Sequence, residues 1–386
     1  MNEFDIFSKD PEPFVALTKT HSKAVLGCCF SPITNQILTA GEDGKVVLWN
    51  IPPTDTVLHD ETINDEHKLV CYNLEEHKTP VTSVSMAKDL FVSASEGGQA
   101  KLWRLRPEVL NEPISGPVSY TCHTRKIFSC SLSLDAKCFA TGSDDKSIKV
   151  WSTESKNKSL FTLVDGHKNW IRGVQFSKTH ERLLASCGDD GRLCIWDVRT
   201  GVRTNPCVTI PPTRKTPLIC LDWHPVFEHH IATGAQDSST TIWDLRNRKR
   251  VQVYNEHEGQ VNSVAFNTGG SLLLTGSADC SSRIFDCLEG RNIFNLLAHK
   301  SSITSTCFDP SGELFATAST DKTVTIWKRN FDVVTIVLDY DDVDSDMTIH
   351  GQSHDRNSNP PDLTDDWSHE TRPSQQPYHR NNMYRR

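Results

Sequence analysis

The feature that most constrains the fold is an internal repeat with fixed polar landmarks. Seven units follow one another along the 386-residue chain, at a period of 42 to 56 residues. Six units open with a histidine: His21, His77, His123, His167, His257 and His299. All seven close on an aromatic position: Trp49, Trp103, Trp151, Trp196, Trp243, Phe285 and Trp327. A histidine and its aromatic partner are 26 to 29 residues apart, so the units keep one register.

Each unit contains short runs of alternating apolar and polar residues. The seventh holds ITSTCF (303–308), LFATAS (314–319) and TVTIW (323–327), separated by turns rich in Gly, Asp and Ser. Alternation with period two predicts strands, and four strands in about 43 residues is typical of a propeller blade. On these residues the chain resembles WD-repeat proteins from 13 to 327. The resemblance implies an all-β fold, a seven-bladed WD-repeat β-propeller.

Two more polar positions recur in these units. An aspartate lies six residues before the aromatic position, and a serine or threonine lies four residues before that aspartate. In WD-repeat proteins these residues form a hydrogen-bonded tetrad, and repetition in blade after blade argues for a structural role over a hydrolase triad. Complete tetrads are expected in units one, three, four and seven: His21, Thr39, Asp43, Trp49; His123, Thr141, Asp145, Trp151; His167, Ser186, Asp190, Trp196; His299, Thr317, Asp321, Trp327.

Three units depart from this pattern. Unit two has Gly97 at the aspartate position, with Glu96 beside it as a poor substitute. Unit five has Arg214 in place of histidine. Unit six has Phe285 in place of tryptophan, which keeps an aromatic ring but loses the indole N–H donor. We expect unit six to be held more by apolar packing than by its polar set.

Two segments that flank the repeats could supply the strand that closes the ring. Segment 13–19 can supply the fourth strand of the last blade, and 331–340 is a competing β-like segment. We therefore predict a propeller domain over 13–338. The acidic and polar tail, 339–386, cannot bury a core and reads as disordered. The acidic, proline-bearing insertion at 50–66 reads as a surface loop.

Composition and motifs exclude several classes of protein. The net charge of −8 is dispersed, so no basic field predicts nucleic-acid binding. No apolar run is long enough to cross a membrane and no signal peptide is present, so we expect a cytoplasmic protein. No catalytic or nucleotide-binding motif occurs. The 13 cysteines fall mostly in strand patterns, so we expect most of them to be small core residues. We expect no enzyme activity, cofactor, metal or small-molecule substrate, and protein partners instead.

Candidate binding residues lie outside the tetrads. Trp170 precedes the first strand of unit four, with Arg172 beside it; the ring either fills a gap between blades or is an exposed anchor. Arg199 and Arg246 end two W-D-x-R stretches, which resemble the motif of propellers that recruit substrates to cullin-type ubiquitin ligases. Arginine there can equally cover a blade edge. Trp223 takes a position held elsewhere by phenylalanine, so we expect it in the core.

Units six and seven carry a narrower resemblance. Phe285 is followed by Leu-Glu-Gly-Arg (288–291), and the last unit ends in Trp-Lys-Arg-Asn-Phe-Asp (327–332). Both features are similar to the centriolar WD-repeat family, the proteome-of-centriole WD-repeat proteins. That resemblance implies a scaffold of centrioles and basal bodies, with centriolar or microtubule-associated partners. The coiled coil that often follows in that family is not predicted in 339–386. A ubiquitin-ligase substrate receptor and a ribonucleoprotein or signalling scaffold are the alternatives.

Overall fold

Alternating residues in each unit form four antiparallel strands, and the seven resulting sheets close into a ring. The computed structural model describes residues 10–18, 21–52, 71–74, 77–105, 116–155, 157, 159–198, 205–212 and 215–330. These residues form seven four-stranded sheets and no helix. The innermost strand of every sheet contacts the innermost strands of the two neighbouring sheets, and the innermost strand of the seventh sheet contacts that of the first sheet. The prediction of an all-β, seven-bladed propeller is confirmed.

The strands occupy four positions from the centre of the ring outwards. The innermost are β2 (Val25–Phe30), β6 (Val81–Ala87), β10 (Ile127–Leu132), β14 (Ile171–Phe176), β18 (Leu218–Trp223), β22 (Val261–Phe266) and β26 (Ile303–Phe308). The second are β3 (Gln36–Gly41), β7 (Leu90–Ser95), β11 (Cys138–Ser143), β15 (Leu183–Gly188), β19 (His230–Ala235), β23 (Leu272–Ser277) and β27 (Leu314–Ser319). The third are β4 (Val46–Asn50), β8 (Gln99–Arg104), β12 (Ile148–Ser152), β16 (Leu193–Asp197), β20 (Thr240–Asp244), β24 (Ser282–Asp286) and β28 (Val324–Lys328). The outermost are β1 (Glu12–Leu17), β5 (Cys71–Leu74), β9 (Val118–Thr121), β13 (Ser159–Leu163), β17 (Val208–Ile210), β21 (Lys249–Tyr254) and β25 (Asn292–Leu296).

The last blade draws its outermost strand from the start of the chain. Strand β1 pairs antiparallel with β28, from Glu12 opposite Lys328 to Leu17 opposite Val324. The competing segment 331–340, the tail 339–386 and most of the 50–66 insertion lie outside the described residues. The ring is thus joined by hydrogen bonds between strands that lie more than 300 residues apart in the sequence.

The core lies between neighbouring blades. One cluster joins blade 2 to blade 3 and includes Val92, Tyr120 and Phe139, all almost fully buried. Trp223 is fully buried in the inner strand of blade 5, as the sequence predicts. Its indole N–H donates to the backbone oxygen of Gln175 on blade 4, at 3.0 Å. Burial of such rings between sheets supplies most of the driving force for closing the ring.

Each innermost strand contains a bulge near its start. In all seven sheets the pairing of the first two strands shifts register between the first and third residues of the inner strand. A bulge leaves one residue unpaired and re-aims its side chain. The unpaired positions are Leu26, Thr82, Phe128, Arg172, Ile219, Asn262 and Thr304. We call the face of the ring at this end of the inner strands the upper face.

Candidate functional site: repeated tetrads and the upper face

Four blades hold a complete tetrad, and the structure brings together every residue expected to form one. The histidine Nε2 lies 2.9, 2.8, 2.8 and 2.8 Å from the hydroxyl oxygen in blades 1, 3, 4 and 7. The histidine Nδ1 lies 3.1, 2.7, 3.0 and 3.1 Å from the carboxylate. The indole N–H donates to the same hydroxyl at 3.0, 3.3, 2.8 and 3.1 Å. The four sets are therefore copies of one arrangement.

The direction of the hydrogen bonds follows from what each group can donate. In blade 3 the Trp151 indole donates to Thr141, the Thr141 hydroxyl donates to His123 Nε2, and His123 Nδ1–H donates to Asp145. Burial raises the pKa of Asp145, but hydrogen bonds from His123 and Ser147 outweigh it and bring the pKa to about 2. The Thr141 hydroxyl is fully buried, so no substrate can reach it. This geometry joins strands to turns and does not form a nucleophile site.

Blade 2 keeps three members of the set without its carboxylate. His77 Nε2 lies 2.7 Å from the Ser93 hydroxyl, and the Trp103 indole donates to that hydroxyl at 3.0 Å. Glu96 forms an ion pair with Lys126 of blade 3, so it does not replace the missing aspartate. Burial, with Lys101 as a second cause, lowers the pKa of His77 to about 4. This imidazole is neutral at physiological pH.

Blade 5 lacks the histidine, and Arg214 lies outside the described residues. The Trp243 indole still donates to Thr233 at 2.8 Å. Asp237 accepts from the Ser239 hydroxyl at 2.5 Å and from Thr216 at 3.3 Å. A cavity of about 360 Å³ lies beside these groups, between blades 4 and 5. This is the blade that departs most from the repeat.

Blade 6 keeps the imidazole and carboxylate but has lost the indole. His257 lies 2.8 Å from Asp279 and 2.7 Å from the Thr275 hydroxyl. Phe285 is fully buried, and its ring centroid lies 4.3 Å from that of Tyr254 on blade 5. Aromatic packing therefore takes the place of the indole hydrogen bond, while the rest of the polar set is retained.

Comparison with known proteins agrees with this blade-by-blade account. The family profile described as "WD domain, G-beta repeat" matches residues 13–50, 69–104, 117–152, 157–197, 248–286 and 290–328. The chain belongs to the WD40-repeat family. The matched ranges cover more than half of the chain and six of its blades. The interval between 197 and 248, which the matched ranges leave out, contains the three inner strands of blade 5, the blade of this WD40 propeller that lacks histidine.

Curated proteins share the repeat at low identity. Two "Guanine nucleotide-binding protein subunit beta" sequences, from the indica and japonica subspecies of Oryza sativa, are each 24% identical over 218 residues. That alignment covers 54% of this chain and 56% of each rice protein. "Apoptotic protease-activating factor 1" of Rattus norvegicus is 29% identical over 193 residues, which are 49% of this chain and 13% of that protein. The WD40 chain thus spans only about half of the length of the rice relatives.

The upper face of blades 3 and 4 carries a cluster of aromatic and charged side chains of the WD40 propeller. Trp170 is 40% exposed, and its ring centroid lies 6.1 Å from that of Phe128. The Arg172 guanidinium carbon lies 4.3 Å from the centre of the Phe128 ring and 5.1 Å from that of Trp170. Arg172 also forms two hydrogen bonds to Asp189, at 2.7 and 2.9 Å. Trp170 therefore leans on neighbouring side chains and still presents a large part of its ring to solvent.

The bulges of β10 and β14 build this cluster. Phe128 and Arg172 are the unpaired residues of those two strands, so their side chains meet beneath Trp170. The sequence pattern indicates Trp170 and Arg172 as binding residues but does not indicate Phe128 or Asp189. Aligning the second residue of every inner strand would have found Phe128, because that position is otherwise not aromatic. We refer to Phe128, Trp170, Arg172 and Asp189 as the Trp170 cluster.

The other predicted binding residues do not join the Trp170 cluster. Arg246 has a side chain that is 62% exposed and lies 3.5 Å from Asp244 of its own blade. Arg199 lies outside the described residues. Within the described ranges, no group of three or more His, Cys, Asp or Glu side chains could hold a metal ion. The same ranges contain no helix that could span a membrane.

Proposed function

We propose that this WD40 propeller is a non-catalytic protein-interaction scaffold that binds a partner protein at the Trp170 cluster. The observation that carries the proposal is the exposed, supported ring of Trp170 on the upper face. Tryptophan and arginine are enriched among residues that dominate binding energy. Asp189 and Phe128 hold Arg172, so little side-chain freedom is left to lose when a partner docks.

The charges around the cluster favour an acidic partner. Arg125, Lys146 and Lys168 are exposed on the upper face of blades 3 and 4. None of the three forms an ion pair with any residue that the structure describes. The same loops also carry carboxylates, but those of Asp145, Asp189 and Asp190 are bound to His123, Arg172 and His167. The proposed partner segment places an apolar side chain on Trp170 and carboxylates near these cations, which would also speed association.

A charge-reversal experiment tests the partner's chemistry. We expect Arg125→Glu with Lys168→Glu to lower recovery of partners that co-purify with the full chain, and higher salt to do the same. The matched control is Lys300→Glu with Lys322→Glu, because both lysines are exposed on the upper face of blade 7. Equal recovery from both double variants would remove the acidic-partner proposal.

At the cellular level we propose a scaffold of centrioles or basal bodies that supports cilium formation. The support is the likeness of Phe285, with the following Leu288–Arg291 stretch, to the centriolar WD-repeat family. Gly290 in that stretch has a φ of 71°, a conformation that favours glycine and forms the turn after β24. Tagged protein should give discrete puncta that coincide with centriole markers. A diffuse or purely nuclear signal would refute the centriolar assignment and leave the interaction surface to be tested separately.

A ubiquitin-ligase substrate receptor is the second candidate. The exposed Arg246 side chain, in the turn between β20 and β21 of blade 5, favours it. Arg199→Ala with Arg246→Ala should then abolish co-purification of a ligase adaptor. Absence of adaptor from the wild-type preparation, or its unchanged recovery with the double variant, would exclude this role. The rice relatives named as G-protein β subunits support a signalling scaffold as a broader alternative.

A further inference from the structure

Two thiols face each other where the ring closes. Cys28 on β2 belongs to blade 1, and Cys307 on β26 belongs to blade 7. Their sulfur atoms are 3.5 Å apart, although the residues are 279 positions apart in the sequence. Both cysteines are free, so this contact is non-covalent. Nearby, the Cys28 backbone N–H donates to the Ser305 hydroxyl at 3.2 Å, and the Thr304 hydroxyl donates to the backbone oxygen of Val25 at 2.7 Å.

The contact between the inner strands of two neighbouring blades is called a seam here. The seam between blades 2 and 3 can be compared with the closing seam between blades 7 and 1. Cys130 occupies the position of Cys28: its backbone N–H donates to Ser83 at 3.1 Å, and its sulfur lies 3.6 Å from that hydroxyl. The same sulfur-to-hydroxyl distance, 3.6 Å, separates Cys28 from Ser305. The residue that corresponds to Cys307, two positions after the serine, is Ser85. The surroundings are otherwise alike, so the paired thiols are a feature of the closing seam and not of the repeat.

The two cysteines lie at the edge of the central channel, with Cys28 buried and Cys307 partly buried. Cys28 and Cys307 both line the central channel, which has a volume of about 370 Å³ and is bordered by all seven inner strands. The channel wall combines small polar side chains, such as Ser83, Ser131 and Ser263, with apolar ones such as Val84 and Leu221. The hydrogen bond from Cys307 lowers the pKa of Cys28 against the effect of burial, and Ser305 adds to this lowering. Burial raises the pKa of Cys307. This direction favours Cys28 as the attacking thiolate of the pair.

We propose that Cys28 and Cys307 form a disulfide bond when the protein meets a peroxide, and that this bond closes the ring covalently. The Cys28 thiolate attacks one peroxide oxygen; the O–O bond breaks, Cys28 becomes a sulfenic acid, and the departing oxygen leaves as water after taking a proton. The Cys307 sulfur then attacks the Cys28 sulfur, the S–O bond breaks, and a second water leaves with the thiol proton. Two thiols are oxidised to one disulfide while one peroxide is reduced to two waters.

Formation of the disulfide requires only a small movement of the two sulfur atoms, and the bond would constrain the chain strongly. The sulfur atoms must approach by about 1.5 Å to reach the length of a disulfide, about 2.05 Å. The bond would then join blades 1 and 7 directly, where closure otherwise depends on strand pairing and packing. Because it would enclose most of the chain in one loop, it would restrict the unfolded chain strongly. Oxidation would thus hold the ring closed against separation of the two blades.

Peptide mapping of the oxidised full-length protein tests the proposal. Folded, reduced protein is treated with hydrogen peroxide, free thiols are blocked with N-ethylmaleimide, and the digest is analysed by mass spectrometry. We expect a linked Cys28–Cys307 peptide and a rise in Tm of about 5 °C. Cys307→Ser should lose both effects, whereas the matched control Cys130→Ser should keep both.

The mapping on the wild-type chain decides the matter even where a variant fails to fold. A folded protein in which peroxide produces no Cys28–Cys307 link would overturn the proposal. So would conversion of Cys28 to a sulfinic acid while Cys307 stays reduced, because the second thiol would then have failed to capture the sulfenic acid. A link that forms without any rise in Tm would refute the proposed closure of the ring.

Discussion

Blades 3 and 6 have nearly the same polar set, although Phe285 replaces Trp151 and Leu273 replaces the Phe139 that pairs with it. Each has a histidine bound to a threonine hydroxyl and an aspartate, at 2.8 and 2.7 Å in blade 3 and at 2.7 and 2.8 Å in blade 6. In each, a serine two positions after the aspartate donates to that carboxylate at 2.6 Å. The polar set therefore does not need the indole to take its shape.

What differs between the two blades is the packing around the aromatic position. A tyrosine of the preceding blade covers that position in both: Tyr120 beside Trp151, and Tyr254 beside Phe285. The ring centroids are 5.8 Å apart in blade 3 and 4.3 Å apart in blade 6. The tyrosine hydroxyl donates to a backbone oxygen of the neighbouring blade in both, at 3.0 and 3.2 Å. The smaller phenylalanine is accommodated by closer approach of the tyrosine ring, so the blade remains well packed.

The largest expected effect comes from removing the histidine in either blade. His123→Ala and His257→Ala should each lower the free energy of unfolding by about 3 kcal/mol, because a buried hydroxyl and a carboxylate each lose one hydrogen-bond partner. The two losses should agree within about 0.5 kcal/mol in urea unfolding, since the contacts match. His77→Ala, in the blade without a carboxylate, should cost about 1 kcal/mol less. A clearly smaller loss for His257→Ala would mean that the indole supports the histidine after all.

The carboxylates should give the next largest effect, and it should depend on pH. The pKa of Asp145 is about 2, and hydrogen bonds from Ser281 and His257 hold that of Asp279 well below its usual range despite burial. A folded-state pKa below the unfolded one stabilises the fold above about pH 4. That stabilisation is lost as the pH falls through about 2. Asp145→Asn should therefore cost about 2 kcal/mol at pH 7 and progressively less in acid.

Asp279→Asn should behave in the same way, because the two carboxylates have the same partners. Urea unfolding of wild type and both variants between pH 7 and pH 2 measures the difference. A constant gap between wild type and variant across that range would contradict the assignment of these groups as stabilising carboxylates.

Copying blade 6 into blade 3 should be tolerated at moderate cost. Trp151→Phe removes one N–H donor and part of a ring, so we expect a loss of about 1 to 2 kcal/mol without a change of fold. The Trp151 bond is 3.3 Å long, the longest of the indole bonds described here, which favours the lower end. Thermal unfolding with circular dichroism checks both points. Loss of the native fold would show that packing of Tyr254 is not what allows blade 6 to fold without an indole.

The reverse exchange should have the smallest effect. Phe285→Trp offers an N–H donor to Thr275, but Tyr254 must move away by more than 1 Å to match blade 3. We expect the gain and the crowding to offset each other, with a change below about 1 kcal/mol in either direction. Destabilisation by more than about 2 kcal/mol would show that the tyrosine in blade 6 cannot retreat.

Much of this arrangement could be predicted from the repeat, since the spacing of His, Asp and Trp fixes which strands they join. The position of Trp223 in the core follows from the same alignment. Contacts between blades are harder to predict from the sequence, because they depend on bulges and on which side chains of neighbouring blades face each other. Neither the Arg172–Asp189 pair nor the approach of Cys28 to Cys307 follows from spacing within one unit. Sequence analysis also left open whether Trp170 was buried or exposed, and only the packing against Phe128 resolves this.

The most direct test of the proposed function uses Trp170. Trp170→Ala should lower Tm only slightly, because 40% of the residue is exposed and its packing is confined to Phe128 and Arg172, while recovery of partners that co-purify with the wild-type chain should fall at least tenfold. The matched control is Phe227→Ala, an aromatic that is 45% exposed in the turn between β18 and β19, at the opposite end of the inner strands. It should retain those partners. Full recovery with Trp170→Ala, at equal expression and equal Tm, would contradict the assignment of the Trp170 cluster as the binding site.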